Sequence, residues 1–259
     1  MKKRLTALLL AFCMAFSFAP AAFASDGADS TAEEPKDGWD GDSYYVDGSA
    51  VNGMQSIGGK DYYFANDKVL KNQIVYKIGK NYYSVSKKGV LKKYTGVKEQ
   101  AAERLRALNK KKDIPALDAK KTEKLFKKAF LWCAKSCVKG KYKGVAKTGN
   151  YKKYAVAGFN TRKGDCKTQA SMLAVMAGIL GYKKVKFVHG LVPTTTGFRT
   201  HAWITLKSGK KKYVCDPSFN TSTDAKKLRK KNKYVGFMFR YGDKNTYKYY
   251  TAKRKLIKK

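Results

Sequence analysis

Two histidines, His189 and His201, are all the imidazole this chain has. Any chemistry that needs a base titrating near pH 7 therefore has few candidates. Cysteine is also scarce, at five residues, and Cys13 lies in the first 24. The other four (Cys133, Cys137, Cys166 and Cys215) are too few and too awkwardly spaced for a disulfide scaffold. Cys133 and Cys137 share a helical face, but no matching Cys or His pair exists elsewhere to complete a metal site. They read as buried structural thiols, and neither a metal nor a cofactor is expected. Acidic residues number 19 against 56 basic ones, for a formal charge of +37, and only eight of the basic residues are arginine. Lysine is a hydrated point charge suited to diffuse attraction, whereas bidentate recognition prefers arginine. Long apolar runs are missing after the first residues, and Leu5 to Phe18 is too short for a comfortable span. With Lys2, Lys3 and Arg4 before it and Ala22-Phe23-Ala24 behind, Met1 to Ala24 reads as a secretory signal peptide. A secreted product without a transmembrane segment is expected.

Residues 25–37 are acidic and small, and read as a disordered linker. A short repeat follows over 38–94. Gly41-Asp42-Ser43-Tyr44-Tyr45, Gly59-Lys60-Asp61-Tyr62-Tyr63 and Gly79-Lys80-Asn81-Tyr82-Tyr83 align at spacings of 18 and 20 residues. Each is followed by turn residues and a small apolar cluster, as at Val69-Leu70 and Val90-Leu91, which suggests stacked β-hairpins. With Gly38-Trp39 and Asp47-Gly48-Ser49, the pattern resembles the cell-wall-binding repeats of Gram-positive surface proteins, including the choline-binding type. Ile57 and Ile78 stand where that pattern has tryptophan. Residues 95–117 read as a helical connector around an alanine-rich helix, Val97 to Leu108. Asp118 then caps a helix carrying Leu125, Phe126, Ala129, Phe130, Trp132 and Cys133, expected to pack under the helix described next.

Chemistry gathers at Arg162-Lys163-Gly164-Asp165-Cys166. Asp165 is a natural N-cap, so Cys166 falls in the first turn of a helix whose apolar face is Met172, Leu173, Val175, Met176, Ile179 and Leu180. Gly181 ends that helix. Unpaired N–H groups and the helix dipole favour a negative sulfur there. Gly164 lets a substrate chain come close. A small buried thiol is the commoner fate of a lone cysteine, and the partners decide between the two.

Lys184 to His189 reads as a strand ending at a structural His189, and Pro193 to Arg199 as a polar loop overhanging the site. Thr200 to Leu206 alternates as a strand, Ser208-Gly209 suits a hairpin turn, and Lys211 to Asp216 returns. A turn at those residues sets His201 opposite Asp216, close enough for the carboxylate to orient the imidazole. Nucleophile, base and orienting carboxylate are the parts of an activated thiol. Tyr234 to Tyr241 and Tyr247 to Thr251 read as closing strands, and Lys253 to Lys259 as a frayed tail.

At Gly164-Asp165-Cys166, His201-Ala202-Trp203 and Tyr213-Val214-Cys215-Asp216-Pro217-Ser218 the chain resembles the transglutaminase-like superfamily. The resemblance is clear over Ala155 to Phe219. It implies an α+β, papain-like catalytic domain over 118–259, with the cysteine at a helix N-terminus packed on an antiparallel sheet, preceded by the β-hairpin module. It also implies Cys166 as nucleophile, His201 as base and Asp216 as orienting residue. The superfamily includes peptidases, amidases and protein crosslinkers. The expectation is a secreted enzyme that cleaves or transfers peptide or amide acyl groups through a thioester, with hydrolysis favoured. Gln–Lys crosslinking, or a non-catalytic wall-binding protein, are the alternatives. Expected partners are a peptide or protein substrate and the anionic polymers of a cell wall (peptidoglycan and teichoic acid), with the protein a monomer. Secretion and the lack of a recognisable module count against nucleic acid.

Overall fold

The computed structural model describes residues 37–137, 150–194, 197–241 and 250–251. The expected signal peptide, most of the acidic linker (25–36), Tyr247 and the cationic tail lie outside them.

The N-terminal part is a run of small antiparallel sheets. In order come β1 (Gly38–Asp40), β2 (Ser43–Val46), β3 (Ser49–Ala50), β4 (Gly53–Ile57), β5 (Lys60–Ala65) and β6 (Lys68–Val69). They are followed by β7 (Gln73–Ile78), β8 (Asn81–Val85) and β9 (Leu91–Lys93). The three aligned Tyr pairs fall on β2, β5 and β8, each the second strand of a three-strand meander. Trp39 packs on Tyr44, Tyr62 and Phe64 with ring centroids 5.3, 5.1 and 5.7 Å apart, which joins the first sheet to the second. Tyr63 and Tyr76, 5.8 Å apart, join the second to the third.

Helix α1 (Val97–Leu108) follows, then β10 (Ile114–Pro115), which pairs with β7 and makes the third sheet four-stranded. Val75 and Ile114 are fully buried in one core with Ala101, Ala102 and Leu105 of α1 and with residues of the helices beyond. The Tyr94 hydroxyl donates to the Ile74 carbonyl at 2.8 Å.

Asp118 caps α2 (Ala119–Ser136), accepting from the Lys121 N–H at 2.7 Å. Then come α3 (Tyr151–Thr161) and α4 (Cys166–Ile179). Every residue from Thr168 to Ala174 is buried, so α4 is enclosed nearly all round rather than on one face. Such a helix belongs inside a core. It is enclosed by Ala101 and Leu105 of α1, by Phe126, Ala129 and Phe130 of α2, and by Ala202, Ile204 and Leu206 of the sheet described next. Burying each of those phenylalanines contributes about 2–3 kcal/mol. Gly181, with φ 87°, closes α4: its N–H donates to the Gly178 carbonyl and that of Tyr182 to the Ala177 carbonyl, a Schellman ending.

The second half of the chain builds one antiparallel sheet from β11 (Lys183–Thr194), β12 (Gly197–Ser208), β13 (Lys211–Cys215), α5 (Pro217–Asn220) and α6 (Lys226–Lys231) flanking it, and β14 (Tyr250–Thr251). Its order is β13-β12-β11-β14. Most of the expected loop at 193–199 is strand, because β11 and β12 pair out to Thr194 and Gly197. Tyr234 to Tyr241 is not a strand. Gly236 (φ 82°) and Met238 (φ 52°) bend it, and only Phe239 bridges to Val214. No helix among the described residues is long and apolar enough to cross a membrane.

Candidate active site

Asp165 caps α4 as its sequence indicates, its Oδ1 accepting from the N–H groups of Lys167 (2.9 Å) and Thr168 (3.3 Å). Cys166 is thereby the first residue of the helix, and it is only partly buried. Gly164 serves this turn in a way the sequence did not suggest. Its φ is 148°, and a Cβ there would collide with the Thr168 side chain, so the glycine makes room for the helix rather than for a ligand. Gly158 does the same from α3, where a Cβ would sit 2.5 Å from Thr168 Cγ2 and 2.7 Å from Met172 Sδ.

The strand register differs from expectation. Ser208 pairs with Lys211 and Ile204 with Cys215, so the turn is Gly209–Lys210 and His201 is not directly opposite Asp216. Continued, that register sets Asp216 against Trp203, two residues along and on the same face as His201. The pairing of side chains survives because the shift is even. His201 Nε2 lies 2.7 Å from Asp216 Oδ2. The other oxygen, Oδ1, accepts from the Phe219 N–H at 2.9 Å, so Asp216 also caps α5. Asp216 is fully buried and His201 is 4% exposed. The Trp203 ring stacks beside the imidazole at 6.3 Å, and its indole N–H donates to the Tyr241 hydroxyl at 2.9 Å.

His201 also hydrogen-bonds the Cys166 side chain. With Nε2 held by Asp216, Nδ1 is the nitrogen left for the sulfur. Burial works to lower the imidazole pKa. The Asp216 charge and hydrogen bond, joined by Cys166, outweigh it and hold the value up at about 10. The structure thus brings together the three residues the sequence singled out, in the order Cys166, His201, Asp216.

The remaining thiols are set apart by burial. It raises the pKa of Cys133 well above the ordinary range, and it pushes Cys137 and Cys215 up to about 12. Cys215 packs with Ala202, Ile204 and Leu206, on the face of the sheet away from His201.

Residues 116–217 match the transglutaminase-like superfamily. All three clustered residues lie inside the match. Comparison of the whole chain with curated proteins gives no match. The transglutaminase-like region is of mixed α and β structure, and its superfamily points to cysteine-based acyl transfer or proteolysis.

Two residues of this region carry more than the sequence suggested. His189 is not at a strand end: it is exposed in mid-strand and pairs with Ala202, next to the Gly190–His201 pair. Partial burial, the Lys167 charge and His201 lower its pKa, against Asp165, which places it beside the start of α4. Gly236 is the second. The Asp216 N–H donates to its carbonyl at 2.8 Å, and a Cβ there would meet the Asp216 carbonyl oxygen at 2.6 Å. The only signal in the sequence for it was a glycine inside an otherwise strand-like stretch.

Proposed function

We propose that this protein is a secreted, cell-surface cysteine enzyme that cleaves peptide or amide bonds through a thioester on Cys166. The observation that carries this is the His201 imidazole, bonded to the Cys166 side chain on one side and to the buried Asp216 carboxylate on the other. The Cys166 sulfur attacks the substrate carbonyl as a thiolate. The Cys166 backbone N–H, which the Asp165 cap does not take up, is a donor to the oxyanion. The C–N bond breaks as the protonated His201 gives its proton to the leaving amine, and the acyl group stays on sulfur. Water then attacks the thioester, neutral His201 takes its proton, and the C–S bond breaks to restore the pair. Asp216 keeps Nε2 as the donor nitrogen throughout, which fixes Nδ1 on the sulfur. The papain-like arrangement of the catalytic domain over 118–259 belongs to this reading.

The N-terminal sheets are read as wall-binding repeats, on the strength of the aligned Tyr pairs and the Trp39 cluster. Lysine-dominated charge is read as attraction to acidic surface polymers, and Met1 to Ala24 as the export signal.

Intact-mass analysis of products from peptidoglycan fragments, and from Gln- and Lys-containing peptides, tests the reaction. Hydrolysis adds one water across the cleaved bond. Two peptides joined with loss of ammonia would replace hydrolysis by crosslinking. No product, and no acyl adduct on Cys166, would sink acyl transfer altogether.

A further inference from the structure

A cavity of about 540 Å³ lies away from Cys166, where the third sheet meets the helices. Four lysines line it, from three elements: Lys92 and Lys93 on β9, Lys98 on α1 and Lys152 on α3. No aspartate or glutamate is among its lining residues. Its floor is apolar and comes from the outer side of α4, through Val175, Gly178 and Ile179. Three tyrosines, Tyr94, Tyr151 and Tyr182, give it aromatic walls. The Tyr182 phenol is pushed up by burial and stays neutral, and the Tyr94 hydroxyl is already given to Ile74. At Gly178 an added Cβ would meet nothing within 4 Å, so the backbone of α4 itself borders the open space.

We infer that this cavity binds one segment of a phosphodiester-linked polyol chain, with phosphates on the lysines and the polyol against the tyrosine rings. Charge complementarity sets the sign of the occupant, since four lysines and no acidic residue line the space, so a polyanion can meet several of them at once. Lysine meets phosphate as a point charge, and the octaglutamate arm of the test separates phosphate from carboxylate. A cavity this size takes a short segment, so the anchoring is local and built rather than spread over the whole basic surface. The inference rests on the surface-retention reading above and is independent of acyl transfer.

The test is calorimetric titration of the whole chain with a poly(glycerol phosphate) octamer at 0.15 M salt, beside an octaglutamate of similar charge. A single saturable site that prefers the phosphate oligomer is expected. The combined Lys92→Gln, Lys98→Gln and Lys152→Gln variant should weaken it at least tenfold. Gly178→Phe should do the same with every charge retained, because Gly178 lines the cavity and a Cβ there meets nothing within 4 Å. A matched triple on exposed α6, Lys226→Gln, Lys227→Gln and Lys230→Gln, should change affinity less than twofold. Equal weakening by the two triples, unchanged binding in Gly178→Phe, or equal affinity for octaglutamate would each overturn the assignment. Alkylation of Cys166 in every variant verifies that the fold is kept. Pull-down of the unsubstituted chain on cell walls checks the retention reading separately, so either can fail alone.

Discussion

Asp165-Cys166 and Cys215-Asp216 set the same two residue types at helix starts in opposite order, and their surroundings make them do different work. Asp165 is exposed and uses one oxygen for two backbone N–H groups of its own helix. Its cysteine comes after it, inside the first turn, partly open and bonded to an imidazole. Asp216 is fully buried and divides its oxygens between the Phe219 N–H and His201. Its cysteine comes before it, as the last residue of β13, sealed in the core. A cap that serves only its helix leaves the neighbouring thiol to react. A cap that serves a helix and a histidine becomes part of the chemistry itself, and burial takes its neighbouring thiol out of play.

The largest test of that contrast exchanges the two thiols. Cys166→Ala should remove activity by at least about 10⁴-fold. Cys215→Ala should keep turnover within about tenfold while costing about 1–2 kcal/mol of stability through the space it leaves. Iodoacetamide at pH 8 should label Cys166 first, because a thiol at about 12 is ionised there only about once in ten thousand molecules. Essential activity at Cys215 would reverse the assignment.

The two carboxylates come next. Asp216→Asn keeps an acceptor for the Phe219 N–H but turns an amide N–H₂ toward His201 Nε2. That nitrogen then accepts, the proton moves to Nδ1, and the imidazole can no longer take one from the sulfur. A fall in kcat of about 10²–10⁴-fold with little change in KM is expected. Asp165→Asn should stay within about threefold, since asparagine caps a helix about as well. Comparable kcat for the two variants would erase the distinction.

The smallest effect is on stability. The folded pKa of His201, about 10, stands above its ordinary 6.5. Its contribution is therefore complete below pH 6.5 and is lost as pH rises toward 10. Between pH 7 and 8.5 the protein should lose about 2 kcal/mol of unfolding free energy, and His201→Gln should flatten that slope. The window stops at 8.5 because the buried thiols, with their raised pKa values, add a loss of the same sign above about 9. A flat wild-type profile over that range would mean His201 is not held charged.

What was legible in the sequence follows how local each signal is. Helix α1 runs from Val97 to Leu108 as read, and Asp118 and Asp165 cap their helices, because a cap and its apolar periodicity lie within a few residues. The hairpin turn was misplaced by one residue, since Ser208-Gly209 and Gly209-Lys210 carry nearly the same turn signal. Only pairing across the sheet selects between them. Helix α3 was missed: its buried residues are few, and Gly158 in its middle reads locally as a breaker. Its reason, contact with Thr168 and Met172, lies on another helix. For the same cause β10, two residues long, gave no signal of its own.

The pairing of β10 with β7 also bears on the order in which the chain takes shape as it is made. The first two sheets close on neighbours only a few residues away, so each can form as soon as its own segment is free. The third cannot finish at that point. Its outer strand partner lies at Ile114–Pro115, and Val75 shares its core with Ala101, Ala102 and Leu105 of α1, which follow it in the chain. A ribosome delivering the N-terminus first would hold two settled sheets and one waiting sheet, which locks only when α1 and the strand at Ile114–Pro115 have arrived.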